Sequence, residues 1–255
     1  MRYRKPLVNI LSDMISGLSF PVTIMKATSV GNVWTLNVDD AYFAQKGFTI
    51  SIGGNNYTIV SVEGKCWGDI LTVTGNHTIT LQTFYLYTPY FFFGTLVDGG
   101  IQLSQVANAN QKTPMIFLRV DDTLDETYHD DPADAHERIS KCKLYFLSQG
   151  DNSLLNPDAL TYYVEPMKRL LEIFVQAMND TIAIFEIWNE DYDVTLYAKF
   201  GVYSGGKQPV KIWDEELSGC GMDIKFKILR TQDYYNTHVV YDNGSFDDSF
   251  NDSFG

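Results

Sequence analysis

The apolar positions of this chain change period along its length. Leu7, Ile10, Leu11, Met14, Ile15 and Leu18 recur at i, i+3, i+4, i+7, i+8 and i+11, which puts one stripe on a helix of about three turns. Pro6 suits its start, and Gly17 with Pro21 predicts its end. From Val22 to about Gln82 short β-rich runs take over, at Val33–Val38, Phe48–Ile52, Tyr57–Val62, Ile70–Thr74 and Thr78–Leu81. Gly53-Gly-Asn-Asn56 supplies residues that accept positive φ, as a tight hairpin turn needs, and Gly75-Asn76 reads the same way. A weak echo of 29–38 in 61–73 is too short to establish a repeat. The expectation is a small sandwich or barrel.

After Tyr90 the signals mix. Met115–Val120 and Lys141–Leu147 read as strands separated by an acidic linker. Asn156-Pro157 predicts an N-cap and first turn, and Leu160, Tyr163, Val164, Met167, Leu170, Leu171, Phe174, Val175 and Met178 keep a helical stripe through a kink expected at Pro166. Val194–Phe200 reads as a strand. So does Met222–Ile228, whose apolar 222, 224, 226 and 228 alternate with polar 223, 225 and 227 as in a half-buried strand. The fold class expected is therefore α+β: a mixed or antiparallel sheet packed by two amphipathic helices, with a small all-β sandwich or barrel inserted into it. Its divisions would be an α+β domain of 1–21 and 86–230, an inserted β domain of 22–85, and a flexible acidic Ser-Phe tail, 231–255. The aromatic run Tyr85–Phe93 contains Pro89 and cannot be a central strand. A subunit contact and burial between the two domains are both open to it.

Composition narrows the class. In 255 residues, 45% are hydrophobic and 20% charged, with 16 Phe, 16 Tyr and 4 Trp, so most of the chain can bury a core. Nineteen Lys and Arg against 32 Asp and Glu give a net charge of −13, and no basic cluster offers a sequence-independent grip on phosphate. No run approaches the roughly 18 apolar residues of a membrane span. The basic start, Met1 to Pro6, leads into a stretch interrupted by Asn9, Ser12, Asp13 and Ser16, so synthesis in the cytoplasm without a leader is expected. Cys66, Cys142 and Cys220 are widely spaced and form no C-x-x-C pair; reduced, buried, inert thiols are expected.

Candidate chemistry is sparse. Residues 121–137 hold eight acids with His129 and His136, yet the seven-residue spacing matches neither H-E-x-x-H nor a calcium loop, and Asp131-Pro132 interrupts any rigid element. A solvated loop joining two strands is the expectation, with cation binding as the alternative. There is no G-x-S-x-G elbow and no phosphate loop; Gly99-Gly100 and Gly205-Gly206 read as turns. No catalytic residue, metal ligand or cofactor is assigned. Trp34, Trp67, Tyr57 and Tyr42 either line a sugar platform or pack a small β core.

Several short segments are similar to a known family. Phe91-Phe-Phe-Gly-Thr95, Thr113-Pro-Met-Ile-Phe-Leu118 before an acid-rich loop, Val164-Glu-Pro-Met167 opening a long helix and Ile212-Trp-Asp-Glu-Glu-Leu-Ser-Gly219 before a final strand resemble the neck and tail-completion proteins of tailed bacteriophages, closest to those of Bacteroidetes phages including the crAss-like group. The likeness runs from Phe91 to Leu229, about half the chain. The β segment and the tail after Arg230 depart from it. It implies a non-enzymatic subunit of the virion neck or tail, made in the bacterial host cytoplasm, that forms a homo-oligomeric ring of six or twelve copies. Its partners would be neighbouring portal, connector or tail proteins, with DNA passing through the channel without specific binding and no membrane contact. Interface candidates are Tyr90, Phe91, Phe92, Phe93 and Trp213, together with Phe246, Phe250 and Phe254 of the tail. That tail, with five Asp and no Lys or Arg, is expected to be an extended docking arm. A carbohydrate-binding or adhesion module is the alternative class, and a hydrolase using Asp and Glu a second.

Overall fold

The computed structural model describes residues 7–65, 68–106, 112–120, 126–129, 137–151, 153, 155–180, 185–187, 192–203, 210–211, 213 and 216–228. Helix α1 (Leu7–Gly17) buries Leu7, Leu11 and Ile15, the inner line of the predicted stripe. Pro21 does not merely stop it. It opens β1 (Pro21–Val30), a strand the sequence reading passed over, where proline is tolerated as the first residue.

β1 pairs with β2 (Val33–Val38) across a Gly31-Asn32 turn in which Gly31 has φ +61°. β3 (Thr49–Ile52) and β4 (Asn55–Lys65) join through Gly53 and Gly54, at φ +59° and +82°, as a two-residue turn with both central residues left-handed requires. β5 (Gly68–Thr74) and β6 (Thr83–Tyr85) complete a six-stranded antiparallel sheet in the order β3-β4-β5-β2-β1-β6. Residues 78–81 are not a strand; the pairing falls on 83–85 instead. The sheet curls until its edges meet, so that a Cβ on Gly53 would lie 3.2 Å from the Gln82 amide, giving a nearly closed barrel. Leu36, Val38, Ile50, Ile52, Tyr57, Ile59, Leu71 and Val73 fill it. Gly75 does not supply a positive φ. It is small because a Cβ there would sit 2.3 Å from the Tyr57 ring.

The second sheet is built on two long strands, β10 (Glu137–Gln149) and β15 (Leu217–Ile228), antiparallel from Arg138↔Ile228 to Gln149↔Leu217. Each is flanked end to end by two shorter strands. β8 (Met115–Arg119) and β9 (Glu126–His129) share one edge of β10, while β12 (Asp193–Phe200) and β11 (Phe185–Ile187) share the far edge of β15. Part of the acidic segment is therefore strand β9 rather than loop; residues 130–136, with Asp131-Pro132 and His136, lie outside the described residues, as does the His129 side chain. β7 (Tyr90–Gly94) lies outside β8 and parallel to it. A parallel neighbour needs a crossover, and helix α2 (Leu96–Gln105) is part of it. β13 (Val202–Tyr203) and β14 (Val210–Lys211) form a separate two-stranded pair.

α2 corrects the reading of Gly99-Gly100 as a turn and adds a third helical element to the two expected. Its N-cap is Thr95, whose hydroxyl accepts from the Asp98 amide while Asp98 accepts from the Thr95 amide, each at 3.1 Å. Gly99 serves packing, since a Cβ would come within 2.9 Å of Trp213 and 3.0 Å of Phe92. The long helix also differs in detail. Its N-cap is Leu155 rather than Asn156, and it runs as α3 (Asn156–Ala159), a π-helical stretch at Leu160–Val164, and α4 (Glu165–Asp180). Pro166 has no N–H to give its turn, and the wider π turn just before it takes up the mismatch.

Both faces of the second sheet are covered, which is why Met115–Leu118 is a continuous buried run rather than an alternating one. Ile116, Leu118, Leu144, Phe146, Cys220 and Met222 face α4 through Met167, Leu170 and Phe174, in a core continuous with the barrel interior and α1. Met115, Phe117, Tyr145, Leu147 and Leu217 face the other way, under Phe92, Leu103, Phe200 and Trp213. The connection after β2 ties the barrel to this body. Gln45, 2% exposed, accepts from the Ser148 hydroxyl at 2.8 Å, and Asp40 pairs with Arg169 of α4 at 3.1 Å.

Candidate functional site

The run from Tyr85 to Ile101 crosses from one sheet to the other, and its exposure follows from strand and helix periods. In and after β6, Phe84 and Leu86 point inward while Tyr85 and Tyr87 are 62% and 52% exposed. Leu86 still donates its amide to the Phe20 carbonyl at 3.1 Å. Past Pro89 the chain enters β7, the edge strand of the second sheet. Tyr90 and Phe93 are 36% and 46% exposed; Phe91 is partly buried against the larger core, and Phe92, 2% exposed, faces the smaller one. On α2, Val97 and Ile101 lie one turn apart on the outer side, opposite buried Gly99 and Leu103. The result is a set of exposed apolar side chains flanking both faces of an open strand edge.

Two expected interface residues are interior. Phe92 stacks on Phe117 at 4.8 Å between centroids, and Trp213 meets Phe117 edge-on at 5.5 Å. The Trp213 indole N–H donates to the Leu96 carbonyl at 2.8 Å, so its one polar atom is satisfied without a partner protein. Both rings belong to the chain's own core. Phe246, Phe250 and Phe254 lie outside the described residues. The structure thus gathers Tyr90, Phe91 and Phe93 on one edge, with Tyr87 of the same aromatic run exposed beside them, and adds Val97 and Ile101 of α2, which lie outside that run. The Thr95-x-x-Asp98 capping box was the signal that could have revealed α2.

The other candidates resolve into packing. Tyr57 is 1% exposed, with its hydroxyl donating to the His77 carbonyl at 3.1 Å. Tyr42 packs edge-on against Phe20 at 5.6 Å, and Trp34 lies partly buried against the core. Both are half-buried; Trp67 lies outside the described residues. Burial pushes the thiols of Cys142 and Cys220 up to about 12, so neither is a thiolate near neutral pH; Cys66 is outside the described residues. Lys143 bonds Asp223 at 2.8 Å across β10 and β15, and this bond raises the lysine pKa. Among the described residues no group of three or more His, Cys, Asp or Glu could hold a metal ion. No helix of the described residues is long and apolar enough to cross a membrane.

Beside β7 the surface opens into a cavity of about 420 Å³, lined by Ser12 and Ile15 of α1, Tyr87, Phe91, Val106 and Pro114 among others. This falls within the usual size of ligand pockets, but its walls carry hydroxyls and apolar groups and no carboxylate, imidazole, thiol or amine side chain. Such an arrangement can seat apolar side chains and pair with an extended backbone. Compared with models of protein families and with curated proteins, the sequence matches none.

Proposed function

We propose that this protein is a structural subunit of the head–tail connector or tail of a bacteriophage virion, a ring-forming neck or tail-completion protein without catalysis. The observation that carries the reading is the open edge of β7 together with the segments on either side of it, where Tyr87, Tyr90, Phe93, Val97 and Ile101 stand exposed. A ring needs a surface on each subunit that fits a different surface on the next, and an aromatic edge strand is suited to such a contact. The resemblance of the segments between Phe91 and Gly219 to phage neck proteins supports the same reading. So does the net charge of −13, because a channel wall of the same sign as DNA does not hold it.

In this reading the α+β body, residues 1–21 and 86–230, forms the ring and the barrel of residues 22–85 is an inserted domain on it. The test is native mass spectrometry with electron microscopy of the purified protein, alone and mixed with its connector neighbours. A closed ring of six or twelve copies is expected, alone or on an adjoining ring. A protein that stays monomeric in both settings and is absent from purified particles overturns the reading.

A further inference from the structure

Strand β7 closes one side of the second sheet with an edge on which no further strand pairs among the described residues. The Tyr90 amide donates to the Pro114 carbonyl and the Gly94 carbonyl accepts from the Val120 amide, both at 2.9 Å. Even-numbered residues therefore bond toward β8, and the backbone groups of Phe91 and Phe93 point outward. Gln102 Nε2 caps the Phe93 carbonyl at 3.0 Å. The N–H groups of Phe91 and Phe93 and the Phe91 carbonyl are left for a partner outside the described residues. Edge strands are commonly blunted with charge, proline or a bulge. This one carries Tyr90 and Phe93, exposed, and adjoins the cavity beneath Tyr87 and Phe91.

We infer that this edge takes up the Ser-Phe segment of the chain's own sequence, residues 245–254, as an added strand. An open edge for backbone pairing plus a pocket for alternate side chains is the arrangement by which extended peptides are bound. The segment fits it in three respects. Phe246, Phe250 and Phe254 fall at even positions, so in a strand all three rings share one face, about 13 Å apart at roughly 3.3 Å per residue, with Asp248 and Asp252 between them. Tyr90 to Gly94 is the same four-residue interval, so one ring can enter the cavity while the next lies beside Phe93. The odd positions, Ser245, Asp247, Ser249, Asn251 and Ser253, are all polar and keep the opposite face wet.

The connection to the segment is long. Residues 229–244 intervene between the end of β15 and the segment, and extended they span up to about 55 Å. In the assembly proposed above, the copy that supplies the segment is the neighbour. The inference rests on that reading for this point alone.

The test compares the full chain with the full-chain variant F246A/F250A/F254A by residue-resolved amide hydrogen exchange, with native mass spectrometry of each sample. The Phe91 and Phe93 amides should exchange at least tenfold more slowly in the natural chain than in the variant, while amides of β10 are unchanged. Equal rates at Phe91 and Phe93 overturn the inference, and an oligomer that persists beside equal rates leaves the assembly reading standing. Slow exchange in a monomer, independent of dilution, supports the edge–tail contact and overturns the assembly reading.

Discussion

Replacing Gln45 by alanine tests how the barrel is fastened to the rest of the chain. Gln45 lies in the connection between β2 and β3, yet it is 2% exposed because it reaches Ser148 on β10, itself fully buried. The short 2.8 Å bond from the Ser148 hydroxyl is reinforced by a longer contact, 3.4 Å, from Gln45 Nε2 to the Gln149 carbonyl. Losing one such bond costs about 1 kcal/mol net, and stranding the buried Ser148 hydroxyl adds about 1–3 kcal/mol. On these terms Gln45→Ala should destabilise by about 2–4 kcal/mol, to which the side chain's lost packing adds. Ser148→Ala alone should cost about 1–3 kcal/mol by stranding the amide. The double variant Gln45→Leu with Ser148→Ala removes both polar partners and keeps most of the volume, so it should fall within about 1 kcal/mol of the natural chain. Urea denaturation of Gln45→Leu, Ser148→Ala and the pair closes the cycle. Single costs that simply add in the double variant would refute the argument, since then the two groups are not each other's partners.

Other consequences follow from single contacts. Gly99→Ala should destabilise by about 1–2 kcal/mol in urea melts, because overpacking against Trp213 and Phe92 outweighs the roughly 1 kcal/mol that alanine gains in a helix; a stabilised variant would show that α2 does not press on those rings. With Cys66 and Cys142 changed to serine, Cys220, buried and with its thiol pushed up to about 12, should resist a thiol reagent at pH 8 until the chain unfolds, and rapid labelling of the folded protein would contradict its burial. Burial pushes the Asp39 carboxyl up, but the amides of Thr23 and Asp40 outweigh it and hold it below its usual value. Its contribution is therefore present above about pH 4 and lost as pH falls through the lowered value. The stability difference between the natural chain and Asp39→Asn should shrink below about pH 4 in acid titrations, and a gap that stays constant would remove Asp39 from the account.

Local pattern was enough to place α1, the stripe of the long helix and eight of the strands, because the period of buried positions is set by a helix or strand before anything packs on it. The Gly53-Gly54 turn was legible for a similar reason, since a two-residue hairpin demands positive φ and glycine accepts it. Where the sequence misled, a distant neighbour had decided the residue. Gly75 is small because Tyr57 occupies the space, and Gly99 because Trp213, more than a hundred positions away, packs against α2. Phe92 and Phe93 are adjacent and chemically identical, yet the side of β7 that each takes makes one a core ring and the other part of an exposed edge. That edge exists only because β7 is the outermost strand, parallel to β8. Strand order is a property of the whole sheet. No window of sequence contains it, since the backbone groups left open on Phe91 and Phe93 depend on what the other strands have already paired.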